Sequence, residues 1–214
     1  MMKMEPKTRR QRTVRGFTLA ELLLVLAIGA IVTAIAVPQL ISSRRLQRLA
    51  SLPRQITSQL RLARQTAMSQ RRATTFQYDD QNKQISIIVH ATDGQTVLTD
   101  PNYPNTTGSS VLSTFSLTGF GITSSEISYG IPSGLPTNAL GDGSTLSALS
   151  NNRVNITFQP DGSVINGQGQ PVNFALFFYN SQTPKETASA LSVLGSAGRI
   201  KIWRYSSNAT KYIE

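Results

Sequence analysis

The chain has 214 residues, a formal net charge of +10 and no cysteine. The lack of cysteine excludes disulfides, thiolate metal sites and cysteine nucleophiles, and the single histidine, His90, excludes a histidine-rich metal site. The positive charge is confined to the N-terminal third, because residues 73–214 hold seven basic and nine acidic residues, a net charge of −2. The larger part of the chain therefore carries no bulk electrostatic signal for nucleic acid.

The N-terminal segment is basic and is followed by an apolar stretch without charge. Residues 1–16 hold six basic residues and one acid, whereas residues 22–43 hold no charged residue. Such a stretch is long enough to cross a hydrocarbon core of ~30 Å as a helix. Basic residues before it favour a cytoplasmic N-terminus. The sequence predicts a basic leader over residues 1–16 and a transmembrane segment that ends near residue 41.

The helical pattern continues beyond the apolar stretch and becomes amphipathic. Apolar residues recur at steps of three and four residues, which is one stripe of a helix. The stripe consists of Leu49, Leu52, Ile56, Leu60, Ala63 and Ala67. We predict one helix over residues 17–72, starting at about Thr18. A bend or weak point is expected near Pro38 and near Pro53, because each proline removes a backbone donor.

From Ala73 onward, alternating apolar residues and turn signals predict a β-rich head over residues 73–214. The segment 172–180 is apolar on both faces, which predicts a central strand, and 198–205 is predicted to be the last strand. Other strands are expected in 74–91 (a hairpin), 111–117, 126–131 and 153–165. The predicted fold class is α+β: a long N-terminal helix, membrane-spanning in its first half and amphipathic in its second, packed on antiparallel sheet.

Glu21 is the only acid in residues 17–72 and lies at the head of the apolar stretch. Insertion scales put the cost of an acidic side chain at ~2.5–3.5 kcal/mol near the bilayer centre, and at less near its face. One interpretation is a boundary residue whose carboxylate reaches water. The other is a carboxylate whose counter-charge is supplied by another chain.

The segment from Arg15 to Glu21, with the apolar run after it, resembles the class III signal of type IV prepilins and type II secretion pseudopilins. In that family a short basic leader ends in glycine, here Gly16. A dedicated prepilin peptidase cuts after this glycine and methylates the new N-terminal residue, here Phe17. Glutamate is the fifth mature residue and proline is often the twenty-second, here Glu21 and Pro38.

The resemblance implies a pilin-like fold and a non-catalytic subunit with no cofactor or metal. It implies that Glu21 of one subunit neutralises the Phe17 α-amino group of a neighbour. Two unit charges ~4 Å apart attract by ~4 kcal/mol at an effective dielectric of ~20. The implied location is the bacterial inner membrane, single-pass with the head in the periplasm. The subunit then enters a type IV pilus or type II secretion pseudopilus, near its tip, with other pilin or pseudopilin subunits as partners.

An ordinary secretory signal peptide is the competing interpretation. Ala34-Ile35-Ala36 matches the A-x-A pattern that precedes signal-peptidase cleavage. The acid at Glu21 and the match at Gly16 and Phe17 favour the prepilin signal. A plain single-span anchor is the remaining alternative.

Three later motifs resemble the GspH/FimT group of minor pilins and pseudopilins. They are an A-R-x-x-A stretch at Ala63–Ala67, an F-x-P-D-G turn at Phe158–Gly162 and a closing strand that begins at Gly198. The chain has no G-x-S-x-G or S-x-x-K motif and no phosphate-binding glycine loop, so nothing in it favours an enzyme.

The predicted last strand also carries a candidate DNA-binding patch. If Ile200 and Ile202 face the core, the residues that alternate with them share the opposite face. Some FimT-like minor pilins are thought to bind DNA through a Gly-Arg-x-Arg motif, which 198–201 resembles with lysine in the last position. The candidate residues are Arg199, Lys201, Trp203 and Arg204. The alternatives are a DNA-binding minor pilin and a charged edge strand that resists pairing.

Overall fold

The computed structural model describes residues 18–118, 122–136 and 140–214. Its first element is a long helix, and two antiparallel sheets follow it, so the predicted α+β class is confirmed. The chain forms two compact units, Met1–Arg44 and Arg45–Glu214. The helices are α1 (Leu19–Gln70), α2 (Gly94–Thr99) and α3 (Pro184–Thr187), and a 3-10 turn covers Ser124–Glu126.

Helix α1 continues through both prolines, and neither of them ends it. Beyond Pro53, its inward stripe is buried as the sequence predicts, with Leu52 5% exposed and Ile56 and Leu60 fully buried. The two small members of the stripe, Ala63 and Ala67, are also fully buried. The side chain of Leu49 lies outside the described residues. The stripe is buried because it packs on strands of both sheets.

The first sheet has four antiparallel strands in the order β3-β2-β1-β5. The predicted hairpin is confirmed, because Thr74 pairs with Val89 at its open end and Asp79 with Gln84 at its turn. The strand bounds are β1 Thr74–Asp79, β2 Gln84–Val89, β3 Ser110–Ser116 and β5 Arg153–Phe158.

The second sheet has five strands in the order β4-β6-β7-β8-β9. Their bounds are β4 Ser128–Tyr129, β6 Phe174–Tyr179, β7 Ser189–Leu194, β8 Arg199–Ser206 and β9 Lys211–Ile213. The prediction of a central strand is confirmed, because β6 lies between β4 and β7. The prediction that the strand at 198–205 is the last one is wrong. β9 follows it and pairs with its end, so β8 is an interior strand.

Both faces of the second sheet pack against apolar clusters, and this decides which side chains of β8 are accessible. On one face, Leu176 and Leu191 join α1 and the first sheet in the main apolar cluster. On the other face, Phe177, Trp203 and Tyr212 form the centre of a second cluster. Alternate residues of β6 therefore enter two different cores, which explains why that strand is apolar on both faces.

Candidate functional site

The N-terminal unit presents an apolar helix whose side chains are exposed. Leu19–Val37 is long and apolar enough to cross a membrane by length and composition. Leu19 is 77% exposed and Ile31 62%. An exposed apolar surface of this length is unstable in water, so it requires lipid or other helices around it. The predicted processing residues Gly16 and Phe17 lie outside the described residues.

Glu21 lies in the first turn of α1. Thr18 caps this turn, because its Oγ1 accepts a hydrogen bond of 3.2 Å from the backbone N–H of Glu21. The Glu21 side chain is exposed, and within the described residues no hydrogen bond or ion pair joins its carboxylate to another side chain. The Glu21 carboxylate is therefore available to pair with a cation from outside the chain.

The structure corrects the candidate DNA-binding patch at Trp203. This side chain is 6% exposed and lies in the second apolar cluster. Its Nε1 donates a hydrogen bond of 2.8 Å to Oγ of Ser192, and Ser192 in turn donates to the carboxylate of Asp142. Burial raises the pKa of Asp142, but hydrogen bonds from Ser192 and Ser144 outweigh burial and hold that pKa below its ordinary value. Trp203 is therefore a core residue and offers no ring face for stacking on a base.

The cations of the patch do not share one surface. Lys201 Nζ lies 2.5 Å from the Glu214 carboxylate and 5.2 Å from the centre of the Trp203 ring. Arg199 is exposed on the same face of β8, whereas Arg204 alternates onto the face of Ile200 and Ile202. The four candidate residues therefore do not form a single exposed basic and aromatic stripe, because a second apolar cluster buries Trp203.

The three motifs that resemble the GspH/FimT group converge at one place in the head. Arg64, from the A-R-x-x-A stretch, donates from Nε to the carbonyl oxygen of Gly162 at 3.2 Å. Its Nη2 donates to the carbonyl oxygen of Ala197 at 3.0 Å. One guanidinium therefore ties α1 to the F-x-P-D-G turn and to the start of β8, and we call these contacts the Arg64 clasp.

The glycines of the clasp are required by close approach. Gly198 has φ +57°, and a Cβ atom there would collide with the carbonyl oxygen of Gly162. Gly162 has φ +82°, and its own Cβ would meet Met68 Sδ at 2.9 Å and Arg64 Nε at 3.0 Å. Residues with a side chain disfavour this left-handed backbone. The glycines of two motifs thus serve the same contact, which is structural and not catalytic.

Comparison with known families identifies both parts of the chain. Residues 11–37 match the model of the prokaryotic N-terminal methylation motif. Residues 54–197, about two-thirds of the chain, match the model of type II transport protein GspH. The chain belongs to the GspH family. The recognition of a GspH/FimT-like minor pilin or pseudopilin from the sequence is confirmed.

A solved structure and the curated proteins give two further results. This chain is similar to type IV minor pilin FimU of Pseudomonas aeruginosa, with 19% identity over 81% of this chain and 96% of that chain, at a TM-score of 0.43. No curated protein sequence matches this chain.

Other polar groups of the chain have structural partners. His90 is fully buried, with Nε2 2.7 Å from Thr75 Oγ1 and Nδ1 3.0 Å from Thr106 Oγ1. Asp79 pairs with Arg153 at 3.1 Å and Asp80 with Lys83 at 2.6 Å. Within the described residues, no three His, Asp or Glu side chains gather as a metal site would require.

Proposed function

We propose that this chain is a non-catalytic minor pilin or pseudopilin subunit that is held in the inner membrane and assembled into a fibre. The fibre is a type IV pilus or a type II secretion pseudopilus, and the subunit enters it near the tip. The leader is cut after Gly16 by a prepilin peptidase, and the new N-terminus at Phe17 is methylated. The head then lies in the periplasm.

The observation that carries this proposal is Glu21, an acid in the first turn of α1 and within the exposed apolar segment Leu19–Val37. It lies within the segment that matches the N-terminal methylation motif. A carboxylate beside an apolar span is costly unless a cation neutralises it. A free α-amino group at Phe17 of a neighbouring subunit is such a cation, and cleavage after Gly16 creates it.

The two halves of the chain support different steps of this function. Leu19–Val37 is suited to lipid before assembly and to other helices after it. The head has its own core, formed where the later half of α1 packs on both sheets. A folded head on a lipid-compatible helix is what a subunit that moves from a membrane into a fibre requires.

Mass spectrometry of the protein purified from membranes tests the proposal. We expect a mature mass that begins at Phe17 and carries one methyl group. A matched variant with Gly16→Trp should retain the leader, because a bulky residue would not fit the peptidase at the cleavage position. A terminus at Val37 would instead establish a secretory signal peptide, and an intact Met1 in the wild type would establish a plain anchor.

A further inference from the structure

Two surface pockets lie on the head beside α1 and β8. The first, of about 430 Å³, is lined by residues that include Arg54, Arg61, Leu62 and Ile202. The second, of about 360 Å³, lies toward the start of the helix and is lined by residues that include Pro53 and Arg204. We call these two parts together the α1–β8 groove. All of its lining residues belong to the unit Arg45–Glu214.

The α1–β8 groove is rich in cations. Arg54 and Arg61 are exposed and lie seven residues apart, which places them on one helix face about 10 Å apart along the axis. Neither forms an ion pair within the described part of the chain, and the same holds for Arg204. Glu186 is the acid that lines the second part of the groove. The occupant that fits such a groove carries negative charge.

The groove is also lined by two apolar side chains. Leu62 is 40% exposed and Ile202 is partly buried. A phosphate polymer would use the arginines but would gain nothing from covering these two side chains. An acidic protein segment can use both, because arginine binds carboxylates through paired hydrogen bonds and an apolar side chain gains from leaving water.

A second copy of this chain is a poor occupant, because the described acids of its head other than Glu186 are engaged within the subunit, and Glu186 lines the groove itself. Asp79, Asp80 and Glu214 each form an ion pair within the subunit. Asp93 and Asp161 accept hydrogen bonds from backbone N–H groups that hold local turns. The charge pattern therefore favours a contact with a different polypeptide.

We propose that the α1–β8 groove docks an acidic segment of a different polypeptide. Arg54 and Arg61 bind two of its carboxylates, and an apolar side chain between them covers Leu62 and Ile202. Arg204 extends the cationic line into the second part of the groove. This surface is separate from the N-terminal segment, so the docking stands or fails independently of processing at Gly16.

Fluorescence polarisation with the full chain in non-ionic detergent tests this docking. The probe is a labelled helical peptide of about four turns that carries glutamates seven residues apart, which matches the arginine spacing, with leucines between them. The wild type should bind this probe. It should bind a matched peptide with glutamine at every glutamate position at least about tenfold more weakly, since charged hydrogen bonds contribute about 1.5–3 kcal/mol each.

Two double variants that remove the same amount of charge locate the contact: Arg54 and Arg61 lie on α1, whereas Arg71 and Arg72 directly follow its end at Gln70. Arg54→Gln with Arg61→Gln should weaken binding about tenfold or more, whereas Arg71→Gln with Arg72→Gln, outside the groove, should stay within about twofold of the wild type. Thermal melting checks that both variants fold. Absence of wild-type binding or an equal loss in both variants would overturn the docking proposal. Equal competition by duplex DNA or by phosphatidylglycerol vesicles would also overturn it, in favour of a general polyanion surface.

Discussion

The carbonyl oxygen of Gly162 occupies the space that a Cβ atom at Gly198 would need. These two glycines lie in different motifs, Gly162 in a turn and Gly198 directly before β8, yet they touch across the head. The contact is closed by Arg64, which donates to the carbonyl of Gly162. The Arg64 clasp therefore depends on glycine at position 198 for steric space as well as for its positive φ.

Gly198→Ala should lower the free energy of unfolding of the head by more than the backbone strain of an alanine with positive φ. Gly143→Ala is the matched control, because Gly143 has φ +82° and open space around its missing Cβ. We expect a loss of about 1–2 kcal/mol at position 143 from backbone strain, and a larger loss at position 198 from strain plus collision. Denaturant unfolding of the two variants measures the difference, and equal losses would contradict the steric role.

Trp203→Ala should lower stability and should not act through a nucleic-acid surface. The indole is buried and donates to Ser192, and truncation of a buried tryptophan costs about 3–5 kcal/mol. Arg199→Gln, at an exposed position of the same strand face, should change stability by less than about 0.5 kcal/mol. Thermal melting tests both. If the alanine variant melts like the wild type, the second apolar cluster is not part of the folded core.

His90 should make the head less stable as the pH falls below neutrality. Burial lowers the pKa of His90 from 6.5 to about 4, so the unfolded chain takes up a proton on this residue before the folded chain does. Stability is then fully present above pH 6.5 and is lost as the pH falls toward 4, by up to about 3 kcal/mol. Denaturant unfolding at pH 7, 6 and 5 measures the slope.

His90→Gln is the control for that slope, because glutamine does not titrate. It should be less stable than the wild type at pH 7 but should show a flatter pH dependence between pH 7 and about 5, a range above the ordinary pKa of aspartate. Parallel pH profiles for the wild type and this variant would assign the slope to other groups.

A truncated chain that begins at Arg45 should fold, whereas one that begins at Ala73 should not. The shorter chain loses the buried stripe of α1, including Leu52, Ile56 and Leu60. Each large aliphatic side chain contributes about 1.5–3 kcal/mol when buried, and together they approach the whole stability of a domain. Circular dichroism melting distinguishes the two chains. Cooperative melting of the shorter chain would show that α1 is dispensable to the core.

Glu21→Val should leave membrane insertion intact and weaken assembly, because it removes a polar group from an apolar span together with the proposed counter-charge for Phe17. Glu21→Asp, which keeps the charge, should recover part of the wild-type behaviour. Co-purification of differently tagged subunits from membranes measures the association. Equal recovery of the valine variant and the wild type would remove Glu21 from the assembly contact.

The amino-acid sequence by itself was sufficient to predict the features that depend on local pattern. Each of these features can be recognised in a short stretch of the sequence. They are the basic leader, the charge-free run, the spacing from Gly16 to Glu21 and the apolar stripe of α1. The β1–β2 hairpin was predictable for the same reason, since its strands pair across a short polar turn. Such signals follow from periodicity and charge, which act between residues close in the chain.

Only the tertiary structure decided which faces are covered and which distant residues meet. Trp203 alternates with isoleucines as a surface residue would, and it is buried only because a second apolar cluster forms on the far side of its sheet. Arg64 meets Gly162 and Ala197 across separations of 98 and 133 residues. Contacts between residues so far apart in the chain cannot be predicted from local periodicity. They depend on how elements pack together and not on the secondary-structure preference of any one segment.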